Sequence, residues 1–296
     1  IYARPNVEET MTASILLASA FSTIGYLLAG MAILAAVETL VPLHARGRWN
    51  RAHLGPNLAL TSITFATNLL WNAGVLALVL WLGTNDFGLL RWLSVPPLPA
   101  AILAVAAFDL AFYAAHVSWH KFPALWRFHA VHHADPALDV TTTIRQHPVE
   151  GVLRYAAIAA MAIAIGPSAA AFAIYRTASA INALLEHANI AAPRWLDRAL
   201  SLVTTWPMMH KVHHSRLPEQ TDSNYGNLFS FWDRLFGTFT PSDQGRHVRY
   251  GLDGHDQPAL QTTAALLALP FHRARSPHLR DDVVGEAAEP VSLVGE

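Results

Sequence analysis

The chain has no cysteine in its 296 residues. That excludes disulfides, thiolate-bound zinc and iron–sulfur clusters, and leaves imidazole and carboxylate as the side chains able to hold a transition metal. Charge is scarce as well. Only 14% of residues are Asp, Glu, Lys or Arg, against about 25% in an ordinary soluble domain. The formal net charge is −1, which removes the basic footprint that a nucleic-acid partner would require. No HExxH motif is present, so a zinc peptidase of that kind is not expected. No haem, flavin or dinucleotide signature is visible, and glycines such as Gly25 and Gly30 read as helix packing. The chain opens on Ile1 without a basic stretch and cleavage site of the secretory kind.

What the chain has in excess is apolar length, with 53% hydrophobic residues. Ser14 to Val41 is one long run, broken only by Glu38 near its end, and it exceeds the roughly 20 residues needed to cross a bilayer. Leu58 to Leu82 is a second run, with Asn68 and Asn72 but no charge, and Leu98 to Ala115 is a third, with Asp109 alone. Gly151 to Leu185 is apolar again and carries Gly166-Pro167 near its middle, which predicts a helical hairpin turning there, with a first arm short for a full crossing. Arg46, Arg48 and Arg51 concentrate in the loop 42–57, which the positive-inside rule assigns to the cytoplasm. Alternation from there brings residue 116 and everything after the hairpin back to the cytoplasmic side. The expected fold class is therefore all-α: a polytopic membrane helical bundle of about three spans plus a membrane hairpin, with a cytoplasmic histidine-rich helical cap formed largely by residues 188–258. The stretch 258–271 is apolar but too short to span and is expected on the membrane surface. The last 25 residues, rich in charge, Pro and Gly, are expected to be a disordered tail.

Ten of the sixteen histidines fall between residues 116 and 214. His116 and His120 are spaced i, i+4. His129, His132 and His133 follow i, i+3, i+4, and His210, His213 and His214 repeat that pattern. On a helix each set presents its imidazoles to one side. Eight such nitrogens, with His187 as a ninth, are too many for one ion and suit two ions taking four or five each. Structural zinc would want a closed set of four, commonly with Cys, so iron with an open side fits better. His44, His53, His247, His255, His272 and His278 stand alone and read as surface or satisfied core residues. Neutral imidazoles leave the charge of two ions uncompensated, so nearby carboxylates are expected to offset it and fix ring tautomers. Asp109, seven residues before His116, is the first candidate; Asp135, Asp139, Glu150, Glu186 and Asp222 are weaker ones. His147 and Asn189 are candidates for a supporting or positioning role, whereas Asn182 is poorly placed relative to His187. Trp119, Trp126, Phe128, Trp206 and Trp232 read as interfacial anchors and core, and NYGN at 224–227 as a turn.

With HVSWH (116–120), LWRFHAVHH (125–133), TTTIRQHPVE (141–150), LLEHANI (184–190), MMHKVHH (208–214) and NYGNLFSFWDRLFGTF (224–239) in view, the chain resembles the fatty acid hydroxylase superfamily over roughly residues 100–245. That superfamily includes sterol desaturases, C-4 sterol methyl oxidases and alkylglycerol monooxygenase-like proteins. The resemblance implies an integral membrane, di-iron, O2-dependent enzyme. Its ligands would be His116, His120, His129, His132, His133, His210, His213 and His214, with His187 a ninth. Some relatives carry a further histidine four residues before the one matching His187, where this chain has Ala183. The implied division is a transmembrane region at 1–97, a catalytic domain at 98–245, and a surface segment with its tail at 246–296. The implied chemistry is hydroxylation or desaturation of a lipid C–H bond, with two iron ions as cofactors, O2 as co-substrate and an external electron donor. Ether-lipid cleavage is the alternative within the class, and a non-catalytic membrane metal-binding or transport protein the alternative outside it.

Overall fold

In the computed structural model the described residues are 7–45 and 48–272, with side chains described from residue 24 and again from residue 52. The tail expected after residue 271 lies almost wholly outside them. Every named element is helical, and the only β pairings among the described residues are the isolated bridges Pro42–Ile190 and Thr204–Phe229.

Five long helices and two shorter ones build the frame: α1 (Val7–Leu40), α2 (Arg48–Thr84), the single turn α3 (Leu89–Trp92), α4 (Pro97–Lys121), the shorter α5 (Pro123–His133), α6 (Pro148–Ile165) and α7 (Ala169–His187). Proline opens α4, α5 and α6. There its fixed φ suits the first turn and its missing N–H costs no hydrogen bond. Among the described residues three stretches are long and apolar enough to cross a membrane: Ala52–Trp92, Pro97–Lys121 and Pro148–Ile165. Of the first apolar run, the part before residue 24 lies outside the described side chains; Ile24–Leu40 is a shorter apolar helix. The hairpin turns where expected, with Gly166 in the left-handed region at φ 63 closing α6. Its first arm differs from expectation. Pro148 starts the helix three residues before the apolar run, giving 18 residues, or ~27 Å at 1.5 Å per residue, close to the thickness of a hydrocarbon core.

The helices are held by an apolar core in which Val75, Val79 and Leu82 of α2, Phe108 of α4, Tyr155, Ile158 and Ala162 of α6, and Phe172 and Tyr175 of α7 interlock. One pole of this bundle is closed by backbone contact: Gly88 (φ 113) lies against Gly166, so close that a Cβ on Gly166 would stand 2.0 Å from the Phe87 carbonyl oxygen. At the other pole the C-terminal ends of α1, α4 and α7 meet the N-terminal ends of α2 and α6. There Glu38 accepts the backbone N–H of Val140 and of Asn189. His53 faces Asp135 and Asp139, and Arg145 bridges Asn57 and Gln261.

The cap on this second pole consists of short elements: α8 (Arg194–Leu200), α9 (Pro207–His213), α10 (Pro218–Thr221), α11 (Phe231–Leu235) and α12 (Thr263–Ala268), with loops and 3-10 turns between them. The apolar stretch 258–271 docks on the protein. Leu266 packs with Leu60, Val131 and Ala134, and Gln261 donates to the Ala134 carbonyl, while Phe271 stays exposed.

Candidate metal centre

The fold brings nine histidines from four helices, and the residues just after them, to one pole of the bundle, each 4% exposed or less. They fall into two groups. His116, His120, His129, His133 and His213 form one; His132, His187, His210 and His214 form the other. Within each group one nitrogen per ring lies within 4.8 Å of all the others. The division follows helix geometry. On α5 the i, i+4 pair His129 and His133 joins the first group and His132, one position away and about 100° around the helix, joins the second. At α9 the roles are exchanged: His210 and His214 join the second group and His213 the first. His116 and His120 on α4 complete the first. On α7 His187 stands alone, because the position one turn earlier is Ala183. The two groups share a wall, with the rings of His133 and His214 stacked at 4.5 Å.

The proton inventory of the first group is fixed by its surroundings. The Nδ1 of His116 donates to the Tyr225 carbonyl at 2.8 Å, and that of His213 to the Ser223 carbonyl at 2.8 Å. His120 Nδ1 meets Asp222 at 3.3 Å and His129 Nδ1 lies 3.2 Å from Glu150 Oε2. His133 Nδ1 faces the Thr221 hydroxyl at 3.4 Å, whose own proton goes to the His213 carbonyl at 2.6 Å. With a proton on every Nδ1, the five Nε2 atoms carry lone pairs and face one another. His116 Nε2 and His133 Nε2 are each 3.2 Å from His129 Nε2, with no hydrogen to share. Buried lone pairs at that distance repel unless a cation lies among them. In the second group His187 is locked by its Nδ1 donating to the Ala183 carbonyl at 2.7 Å, and its Nε2 lies 3.1 Å from His132 Nε2 and 3.0 Å from His210 Nε2. Two nitrogens bound to one ion at ~2.1 Å stand ~3.0 Å apart at a right angle and ~3.4 Å apart at the tetrahedral angle. The observed spacings fit a metal shell.

Burial and the neighbouring imidazoles hold His132, His133, His210, His213 and His214 neutral. The imidazoles of His132 and His213 are both pushed down to about 3, chiefly by burial and then by the field of His129, with the backbone bond to Ser223 opposing it at His213. His133, His210 and His214 are driven well below the ordinary histidine range for the same reason. Neutral rings are the form that binds metal.

The supporting carboxylates come from the weaker sequence candidates. Glu150 sits between His129 and Arg154, with Arg154 Nη2 donating to Oε1 at 2.8 Å. Asp222 links His120 to Lys121, and Glu186 lies 3.8 Å from both His187 and His210. Asp109, the first sequence candidate, is placed elsewhere. It accepts the backbone N–H of Leu228 and Phe229 and the indole N–H of Trp232, and so anchors a cap loop to α4. Asn189 brackets the backbone of His44, and its own N–H goes to Glu38. His147 caps α6 by accepting from the Val149 N–H, against Phe128. Asn182 ties α7 to the Thr205 and Asn227 carbonyls. His53, read as a lone histidine, is buried with Asp135, Asp139 and Asn57 beneath the centre.

Sequence reasoning missed the backbone acceptors at Ala183, Ser223 and Tyr225, the Thr221 hydroxyl, and Lys211. Asn224 at φ 55 was legible as a turn residue, but that its neighbour Tyr225 offers a carbonyl to His116 was not. Lys211 is fully buried, and its ammonium donates to the His187 carbonyl at 2.5 Å; burial pushes it down to about 7, opposed by Glu38, Asp139 and Glu186. Two tryptophans read as anchors or core pack on the centre: Trp119 stacks on His129, and Trp126 lies against His120 and His133.

An all-helical bundle with membrane-length arms and nine buried imidazoles at one pole defines a polytopic membrane protein with a histidine-lined candidate metal centre. Residues 101–238 match the fatty acid hydroxylase family. The chain is similar to ornithine lipid hydroxylase OlsE of Rhizobium tropici, 29% identical over 194 residues, covering 66% of this chain and 55% of the relative. It is also similar to the alkylglycerol monooxygenase of Danio rerio, 31% identical over 150 residues (51% of this chain, 32% of the relative). The Caenorhabditis elegans alkylglycerol monooxygenase is 32% identical over 146 residues (49% and 28%). The chain thus spans about half the length of the first relative and about a third of the other two. No solved structure matches it.

Proposed function

We propose that this chain is a di-iron, O2-dependent membrane oxidoreductase that hydroxylates a C–H bond of a lipid. The observation that carries the reading is the pair of buried imidazole groups, five and four strong, with the lone pairs of the first facing inward and without protons. In this reading His116, His120, His129, His133 and His213 hold one ion, and His132, His187, His210 and His214 the other. Iron bound there supplies the oxidising power toward an unactivated C–H bond that side chains lack. The overall balance is one lipid C–H, one O2, two electrons and two protons giving one alcohol and one water, the electrons coming from a separate donor.

The chain's own residues keep the rings neutral, fix their tautomers through Tyr225, Ser223, Ala183, Glu150 and Asp222, and exclude bulk water by burial. Residues 98–245 form the catalytic unit in this proposal, with 1–97 as membrane region and 246–296 as surface segment and tail. In this proposal the metal pole faces the cytoplasm, a reading that the arginines of the 42–57 loop support through the positive-inside rule. The similarity to alkylglycerol monooxygenases favours a second reading within the same chemistry, in which the carbon hydroxylated lies beside an ether oxygen and the product falls apart to an aldehyde and an alcohol.

The test is turnover by the iron-loaded, detergent-purified chain with isotopically labelled O2, a chemical reductant and two lipid pools, one of ornithine lipids and one of alkylglycerols. One labelled oxygen atom in a lipid hydroxyl supports hydroxylation, and a fatty aldehyde from the ether pool supports the second reading. O2 reduced to peroxide or water with no labelled product from either pool argues against both.

A further inference from the structure

Two stretches of the cap expose no charged residue: 199–206 contains none, and in 228–240 Asp233 is buried and Arg234 half-buried. In 199–206 the exposed residues are Ala199, Leu202 and Val203, and in 228–240 they are Phe231, Leu235, Phe236 and Gly237. Leu202 is 65% exposed, Val203 62% and Leu235 66%. The two charges of the second stretch, Asp233 and Arg234, are both engaged by the protein. Asp233 is fully buried and accepts the backbone N–H of Tyr225 and Gly226 and the Thr238 hydroxyl. Arg234 donates to the Ser201 and Ser230 carbonyls and lies over the Phe239 ring at 4.0 Å. A cap loop meeting water would place these charges outward and its leucines inward. This one does the reverse, and the two stretches are clamped together by the Thr204–Phe229 bridge and by Ser230 donating to the Ser201 carbonyl.

Depth supports the same occupant. Trp232 donates to Asp109 on α4, seven residues or ~10 Å before the first histidine and well inside a helix long enough to span. Phe236 stacks on Tyr113 of the same helix. On the other flank Asn182 of α7 grips the Thr205 and Asn227 carbonyls, next to Ile181, which is itself exposed. The apolar patch thus sits beside α4, a helix of membrane length, and beside α7, and an apolar patch of this kind marks an interaction surface. We infer that the segments around Leu202–Val203 and Phe231–Phe236 form a wedge inserted into the bilayer from the metal pole, their partner being the acyl–headgroup layer of one leaflet. The cap is then in part a monotopic membrane element. The same wedge bears on the centre, since Asp233 fixes the N–H groups of Tyr225 and Gly226 while the Tyr225 carbonyl receives the His116 proton.

The absence of native cysteine makes the test direct. Single cysteines at Leu202, Leu235, Leu70 and Glu219 are labelled with an environment-sensitive fluorophore in the full chain. The labelled proteins are reconstituted into phosphatidylcholine–phosphatidylglycerol vesicles containing nitroxide-bearing acyl chains. Leu70, exposed on the lipid face of α2, marks the bilayer and Glu219, exposed on the cap, marks water. The labels at 202 and 235 are expected to be quenched by lipid nitroxide at least about threefold more than the one at 219, and within about twofold of the one at 70, with blue-shifted emission. Quenching at 202 and 235 equal to that at 219 overturns the inference. So does shielding from both aqueous iodide and lipid nitroxide, which would mean a protein partner covers the wedge.

Discussion

Glu150 is the residue whose replacement separates two roles that the structure gives to one side chain. It is fully buried at the start of α6, with one oxygen 2.8 Å from Arg154 Nη2 and the other 3.2 Å from His129 Nδ1. Glu150→Gln keeps the shape but offers one carbonyl oxygen and one NH2 group. Whichever way the amide turns, either Arg154 or His129 meets a donor instead of an acceptor. The Arg154 guanidinium, held over Phe112 and Trp119, then has no anion. Breaking a buried pair in this way costs about 3–5 kcal/mol, a large part of the about 5–15 kcal/mol that holds a typical domain. Loss of the carboxylate behind a ligand imidazole lowers metal affinity about 10–100-fold.

The double variant Glu150→Gln, Arg154→Gln removes both charges, so most of the stability should return while the metal affinity stays low. Thermal unfolding in detergent, followed by tryptophan fluorescence, measures the first quantity, and iron retention against a graded chelator series the second. Wild-type stability and iron retention in Glu150→Gln would refute the assignment of both contacts. Full recovery of iron affinity in the double variant would mean that Glu150 serves only as the counterion of Arg154.

Because His132 and His213 lie in different imidazole groups, His132→Ala and His213→Ala should each lower iron content by about one ion per chain, and the double variant should bind essentially none, by elemental analysis. Metal lost from one group only in the double variant would contradict the two-group arrangement. Acid should dismantle the pole. With folded-state values of about 3 for His132 and His213 against 6.5 unfolded, the unfolded chain binds more protons between those limits, so stability falls as pH drops from about 6.5 toward about 3. Tryptophan-monitored unfolding of metal-free protein that stays flat to about pH 4 would show that these rings are not buried neutral. At the opposite pole Gly166→Ala should destabilise by at least about 2 kcal/mol, since it forces a Cβ into left-handed backbone against the Phe87 carbonyl. An unchanged melting temperature would argue against the Gly88–Gly166 contact.

Much of this protein was legible in its sequence because the signals are local. Apolar length set the spans, Gly166-Pro167 set the hairpin, and i, i+3, i+4 spacing put the histidines of one helix on one side. All three follow from covalent geometry and the helical repeat, without knowledge of any neighbour. The longer first arm of the hairpin was missed because Pro148 starts a helix in a polar stretch, where hydropathy is silent. What only the tertiary structure decided is who meets whom across helices. Adjacent residues such as His132 and His133 went to different groups, because the other members of each group arrive from α4, α7 and α9. Asp109 looked like the nearest carboxylate along its helix, but the loop at 228–232 covers it, and the polar contacts to His129 and His120 come from Glu150 and Asp222, 21 and 102 positions away. The proton positions depend on carbonyls at Ser223 and Tyr225 that have no side-chain signature at all. A sequence displays which groups can bind a metal; their tautomers, their partition and the anions behind them are set by backbone that folding brings from elsewhere in the chain.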